Sequence, residues 1–372
     1  MSPTSSFLDV TALAVRVQEE IDTGRLGAAQ FAIARGGEVL HAQSFGAATD
    51  ASRFVIFSAT KTLTAMALLP HLAAGELELT APVSSVIPEF GEHGKSEVTV
   101  LQLLTMQGGF PIAPLGPDQW GTSAGRRERF ASWRLDWPAG SRTEYHPVAA
   151  HWVIAELIET LSGRPYAEVI HDRVTAPAGV ARLLAPADLD DVVTIRTTGT
   201  HPGATAELTE LFGRDDLVPE PSIGVDALLS LNHPLSQAAG IPGGGGIARA
   251  ADIALVYQSF MIDDSSDSSD FSWRRDAIGT VRNASRGAID HLPANRTIAG
   301  VIAGHDGYHH HRWFPVAPRA FGHHGAGGQI CWLEPDSKMS FCFLHDTLDQ
   351  DPGAEFIRCR DINTLALACG QA

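Results

Sequence analysis

Apolar positions near the start of the chain recur at helical spacing: Val10, Leu13, Val17 and Ile21 share one face, and Gly24 supplies a stop, so an amphipathic helix is predicted. The period then changes. Ala29 to Arg35 and Glu38 to Phe45 are strand-like, and Gly36-Gly37 between them suits a two-residue hairpin turn that needs positive φ. A second helix is expected from near Ser58. Pro70 should bend or end it, because proline removes a backbone donor and clashes with the preceding turn.

From Val98 to about Ile170 the pattern is mainly helical, with a Gly/Pro-rich loop between Gly108 and Gly125 and a clear helix from Pro147 to Leu161. Residues 174 to 245 are rich in Pro, Ala and Gly with weak periodicity, and the Asp/Ser run from Ile262 to Ser272 reads as a solvated loop. Strands return at Thr297 to Ala303, Gln329 to Glu334 and Met339 to His345, before a helix from about Ala354 to Ala368. There is no internal repeat. The order predicts an α/β (α+β) fold whose sheet is assembled from both ends of the chain, about residues 1–65 and 296–372, around a mainly helical region of about residues 66–295.

Composition narrows the partners. At 372 residues, with 44% hydrophobic and 19% charged content, the chain can bury a sizeable core, and a formal net charge of −16 argues against nucleic acid and anionic membrane surfaces. Residues 1–30 lack the basic start and apolar run of a secretory signal, and no stretch reaches membrane-spanning length, so a cytoplasmic protein is the expectation. The cysteines, Cys331, Cys342, Cys359 and Cys369, have no C-x-x-C spacing and read as buried thiols. Cys331 and Cys342 are equidistant from the turn 335–338, so a hairpin there sets them opposite each other; a disulfide between them is disfavoured in a reducing compartment.

The chemistry begins with Phe57-Ser58-Ala59-Thr60-Lys61, an S-x-x-K pattern. Residues three apart lie on one helix face, so the amine of Lys61 can reach the hydroxyl of Ser58, and a desolvated lysine can serve as the base that a serine nucleophile requires. A capped helix start with a solvated lysine is the plainer alternative. The chain has three lysines, and neither Lys95 nor Lys338 follows a serine by three positions. In Thr143-Glu144-Tyr145-His146-Pro147, just before a helix, a phenol near cations can lose its proton more easily and act as base or relay. Otherwise Tyr145 packs at a lobe boundary. The run from Phe321 to Gly328 has the small residues that let a substrate approach backbone N–H groups, or it is a flexible glycine turn.

In this order the three segments resemble the serine β-lactamase and penicillin-binding-protein superfamily, nearest its class C-like branch and the family VIII carboxylesterases. Ser58 to Lys61 looks like the first motif, Tyr145-His146-Pro147 occupies the place of Y-x-N, and His323-His324-Gly325 stands where K-T-G or H-x-G belongs. Weaker similar stretches are Gly75 to Leu79, Val98 to Phe110 and Ile241 to Gly246. The resemblance covers most of the chain and implies a single β-lactamase/transpeptidase-like unit. An antiparallel sheet flanked by helices stands beside a helical region, with the site at their junction. It further implies Ser58 as the acylated nucleophile, Lys61 and Tyr145 as the proton-transfer pair, the amides of Ser58 and Ala326 as the oxyanion hole, and His146, His323, His324 and Gly325 lining the substrate cleft. No metal or organic cofactor is implied; the partner is a small acyl substrate. Two departures bear on substrate choice: Pro147 replaces an asparagine that contacts the substrate amide, and His323, largely neutral at pH 7, replaces a lysine. Carboxylester hydrolysis on small neutral esters is therefore expected ahead of lactam or amide cleavage or acyl transfer, with a catalytically silent ligand-binding relative as the reading from another class.

Several patterns compete. Gly121-Thr122-Ser123-Ala124-Gly125 matches the G-x-S-x-G nucleophile elbow, but the segment before it is proline-broken rather than a strand. His305, His309, His310, His311, His323 and His324 crowd together without a carboxylate or cysteine to complete a metal set. Asn283-Ala284-Ser285 and Asn295-Arg296-Thr297 match glycosylation sequons, read as incidental. Trp120, Trp133, Trp137 and Trp273 are assigned to core or lobe packing, with an acyl pocket as the alternative.

Overall fold

The computed structural model describes residues 8–202, 223–261, 269–288, 291–305 and 313–370. The first helix, Thr11–Asp22, leads into β1 (Ala28–Arg35) and β2 (Glu38–Gly46), joined at Gly36 and Gly37 with φ of 63° and 81°. Both turn residues sit in the left-handed region that only glycine enters without strain, as the hairpin required. The short β3 (Phe54–Val55) and, far along the chain, β4 (Arg196–Thr198) and β5 (Ile247–Ala248) lie outside the main sheet. The chain then returns through β6 (Val301–Ile302), β7 (Phe321–Gly322), β8 (Ile330–Glu334), β9 (Met339–His345) and β10 (Thr347–Asp349).

The main sheet has six strands in the order β2-β1-β9-β8-β7-β6, with every pairing antiparallel. The pairing of β1 with β9 joins the early and late parts of the chain. Alternation along these strands sends Ala29, Phe31 and Ile33, with Phe341, Phe343 and Trp332, toward Leu13, Val17, Ile362 and Ala366 of the terminal helices. The opposite face carries Ala28, Ala32 and Ala34 with Cys331, Cys342 and Leu344, against Ala254 and Val256 of helix Ala250–Phe260. The alanines let that helix lie close, although it comes from within the 66–295 stretch.

Cys331 and Cys342 are cross-strand partners with sulfurs 3.7 Å apart, and all four cysteines are buried free thiols. The Ser58 helix ends at Met66, and a second one, Leu69–Ala73, starts with Pro70 in its first turn: without an N–H, proline cannot bond the Met66 carbonyl. The central helix runs Ala149–Ser162 and stops at Gly163 in the left-handed conformation. Helix Pro352–Cys369 is capped by the Asp351 side chain on the amides of Gly353 and Ala354.

Three expectations change. The strand expected over Thr297–Ala303 shrinks to Val301–Ile302, because the Thr297 hydroxyl accepts from the amides of Ala299 and Gly300 and closes a tight turn. The loop expected from Gly108 to Gly125 contains helix Pro117–Trp120 and the start of helix Ser123–Ser132, whose N-cap is the Thr122 side chain on Gly125 N. Ser269 opens helix Ser269–Gly279 inside the predicted solvated run, whose residues 262–268 lie outside the described residues.

Candidate active site

β3 and β5 hold the turn that presents Ser58. The Ile56 amide donates to the Gly246 carbonyl at 2.9 Å, and Phe57 then adopts a left-handed φ of 45°, a strained conformation for a phenylalanine. The turn leaves Ser58 half-buried at the head of helix Thr60–Met66, every residue of which is buried. A side chain at Gly246 has no room: an added Cβ would lie 2.8 Å from Thr60 Oγ1 and 2.9 Å from Ile56.

Lys61 is 1% exposed, so its amine is stripped of solvent. Its Nζ lies 3.1 Å from Ser58 Oγ and donates to the carbonyls of Pro147 and Gly243, each at 2.6 Å. Burial first, and the charge of Arg296 second, push its pKa well below the ordinary lysine value. A neutral amine has two N–H groups and one lone pair. In that state the two carbonyls, which can only accept, take both N–H groups and leave the lone pair for Ser58.

Tyr145 donates its O–H to Ser58 Oγ at 2.7 Å from the other side. The sequence suggested a phenol that ionises easily. The opposite holds: burial raises the Tyr145 pKa and outweighs the lowering by Arg296 and by the Ser58 hydrogen bond, so the group is a neutral donor. Its ring has Lys61 Nζ 5.1 Å and Arg296 Cζ 5.2 Å from its centroid.

The third segment closes the site. His323 places Nδ1 2.8 Å from the His324 carbonyl and Nε2 3.2 Å from Arg296 Nη1, which assigns a neutral ring with the proton on Nδ1. Burial and the Arg296 charge keep its pKa well below the usual histidine value. The ring centroids of Tyr145 and His323 are 6.1 Å apart, and His324 stacks on Trp313 at 3.6 Å. A Cβ at Gly325 would stand 2.5 Å from the Ile56 carbonyl, so glycine lets this loop press against the Ser58 turn. Arg358 holds the loop from below, donating from Nη2 to the Gly327 carbonyl at 3.1 Å.

Other candidates lie elsewhere. His146 is fully buried: Nδ1 faces the Glu144 carbonyl at 2.7 Å and Nε2 accepts from the Phe110 amide at 3.2 Å. Expected in the substrate cleft, His146 instead locks the loop before Phe110, with no polar atom left for a ligand. Ser123 starts a helix and donates to Glu156, which also binds Arg126 and Arg127, so no strand-to-helix elbow exists there. Among the described residues no group of histidines, cysteines and carboxylates is placed to hold a metal; His309, His310 and His311 lie outside them. Asn283 is buried and donates to Thr105 O and Thr143 Oγ1, and Asn295 is buried as well. Trp133 packs between Phe110 and Phe130, Trp120 stacks on Trp152, Trp273 lies against the core, and Trp137 lies beneath Arg142.

Sequence reasoning missed the groups that hold the lysine. Pro147 offers no side-chain donor, yet its carbonyl anchors Lys61; the glycine run 243–246 has no side chains to suggest a role, yet the Gly243 carbonyl supplies the other anchor. Arg296 was hidden inside a sequon. Nothing local marks such groups, since the backbone carbonyls belong to segments 86 and 182 residues away.

Comparison with known proteins bears on the family and the fold. The Beta-lactamase family profile matches residues 13–360. Esterase/beta-lactamase LipL of Mycobacterium tuberculosis is 25% identical over 314 residues, 79% of this chain and 69% of that protein. Esterase EstB of Burkholderia gladioli is 31% identical over 211 residues, 48% of this chain and 53% of EstB, so the match spans about half of that relative. Among solved structures, a penicillin-binding protein homologue from Caulobacter crescentus superposes with a TM-score of 0.75 at 21% identity, covering 96% of both chains. A family VIII carboxylesterase superposes at 0.73 with 18% identity, covering 96% of this chain and 97% of the other. These likenesses fix the fold as the mixed α/β arrangement of β-lactamase and transpeptidase proteins, and the extent of the profile match establishes that the chain belongs to the beta-lactamase family.

Proposed function

We propose that the chain is a serine hydrolase that forms an acyl-enzyme on Ser58 and acts as a carboxylesterase on small neutral esters. The observation that carries this reading is the position of Ser58 Oγ between the desolvated Lys61 amine at 3.1 Å and the Tyr145 phenol at 2.7 Å. Ser58 attacks the ester carbonyl carbon and its proton passes to the Lys61 lone pair. The amides of Ser58 and Ala326 receive the negative oxygen of the tetrahedral intermediate. As that intermediate collapses, the C–O bond to the leaving group breaks and Tyr145, a neutral donor, protonates the departing alkoxide; Lys61 restores the phenol. Water then repeats the sequence on the acyl-enzyme in reverse order.

Family membership and likeness to esterases support hydrolysis, and the neutral histidine of the third segment supports neutral esters. Both nitrogens of His323 are engaged, at His324 and Arg296, so it offers no cation like the lysine of related β-lactamases. Intact-mass measurement after mixing with a fluorophosphonate, then with p-nitrophenyl acetate, is the test. A covalent adduct absent from Ser58→Ala supports the reading. No adduct on the native chain leaves the silent-binder alternative, and faster turnover of a chromogenic cephalosporin than of the ester favours the lactamase one.

A further inference from the structure

Where related β-lactamases carry a lysine at the start of the third motif, this chain has a neutral histidine, and the site would lose a fixed positive charge if nothing replaced it. The replacement stands on another segment. Arg296 leads into the turn before β6, with its guanidinium over the Tyr145 ring, 5.2 Å from the centroid, and Nη1 3.2 Å from His323 Nε2. We infer that Arg296 is the positioning residue of this site: its guanidinium holds the Tyr145 ring and the His323 tautomer in place and sets a fixed positive charge next to the ring that Lys61 also meets. The inference rests on Ser58 and Lys61 working as proposed above.

Other groups around Lys61 cannot supply this charge at neutral pH. Tyr145 from the loop before the central helix is a neutral phenol, and His151 from that helix and His323 from the third segment are kept neutral chiefly by burial. A guanidinium stays charged throughout the working range. It repels an ammonium on Lys61, which favours loss of that proton, and it is among the causes that lower the Lys61 pKa. The same charge forbids a second proton on His323, whose Nε2 must stay an acceptor for Arg296. One residue thereby adds to burial in biasing the protonation of two neighbours.

The experiment measures the rate of Ser58 acylation by p-nitrophenyl acetate from pH 5 to 10 in the native chain, Arg296→Gln, Arg296→Lys and the double variant Arg296→Gln/His323→Lys. Removing the charge should move the acid limb to higher pH, and a limb displaced by about one pH unit makes acylation about tenfold slower at any fixed pH below it. Arg296→Lys keeps the charge and should keep the limb, with a lower plateau because the planar contacts are lost. The double variant returns a cation to the third motif and should move the limb back toward the native position. The inference is overturned if Arg296→Gln, or Arg296→Met should that variant fail to fold, leaves the limb where Arg296→Lys does. It is also overturned if Arg296→Gln changes only the KM of a carboxylate-bearing ester, which would make Arg296 a substrate anchor. Failure of the proposed function is a different result: the native chain would then acquire no acyl group on Ser58 at any pH.

Discussion

In the proposed mechanism Lys61 acts only with its lone pair free, so the pH at which it gains a proton is expected to govern the acid side of the rate profile. Burial, then Arg296, lowers that pH far below the ordinary lysine value. Above the lowered pKa the amine is neutral and acylation is on its plateau; below it, the rate falls. Histidines near the site produce no limb near neutrality, since His146 is pushed down to about 4 and His323 well below its usual range. Lys61→Arg carries a permanent proton and should slow acylation by about a thousandfold, while Tyr145→Phe keeps the limb in place and lowers the plateau by about a hundredfold. Stopped-flow release of p-nitrophenol across pH checks both. Ser58 and Lys61 were legible because a helical turn fixes their separation within four residues. The sense of the Tyr145 shift was not, because it depends on how much of the fold covers the phenol.

Two elements are shaped to press the third segment onto the first. Gly325 lies where any Cβ would meet the Ile56 carbonyl at 2.5 Å, and that carbonyl also receives the Ala59 amide in the Ser58 turn. Gly325→Ala should displace the Ala326 amide and cut acylation by about a hundredfold with the fold intact, read from burst kinetics and circular dichroism together. From the other side, Arg358 is fully buried, with Nη1 3.3 Å from both Glu20 and Asp349 and Nη2 on the Gly327 carbonyl. Arg358→Met leaves Glu20 with Arg16 and Asp349 with Arg25 but removes the donor on the Gly327 carbonyl, and should cost about 1–3 kcal/mol in urea denaturation. Elements with their own punctuation or period, such as the Gly36-Gly37 hairpin and the helix expected over Pro147 to Leu161, were readable from the sequence. Strand β6 is shorter than its apolar run because Thr297 turns the chain by a side-chain bond that no periodicity records, and the loop expected up to Gly125 overruns the start of helix Ser123–Ser132 because the Thr122 side chain, not the apolar pattern, marks that start.

At the scale of the whole chain, joining both ends in one sheet was inferable from the order of strands, while the covering of its second face by helix Ala250–Phe260 required tertiary packing to be seen. That packing carries a cost in acid. His146, His151, His323 and His345 are all buried and neutral, with pKa values below the unfolded value of about 6.5. Their contribution is complete above pH 6.5 and is lost as pH falls, because the unfolded chain takes up protons first; for His146, released at about 4, the loss by pH 4 is about 3 kcal/mol. Urea midpoints should therefore drop steeply from pH 7 to pH 5, and His146→Gln should flatten the slope. The anchoring of Lys61 has a further consequence for how the chain matures. Its amine loses water only after the segments bearing Pro147 and Gly243 have both docked, so partly folded forms carry an ordinary, protonated lysine and an inert serine. Reactivity should return during refolding with the slowest of those docking steps, which makes assembly itself the event that arms the nucleophile.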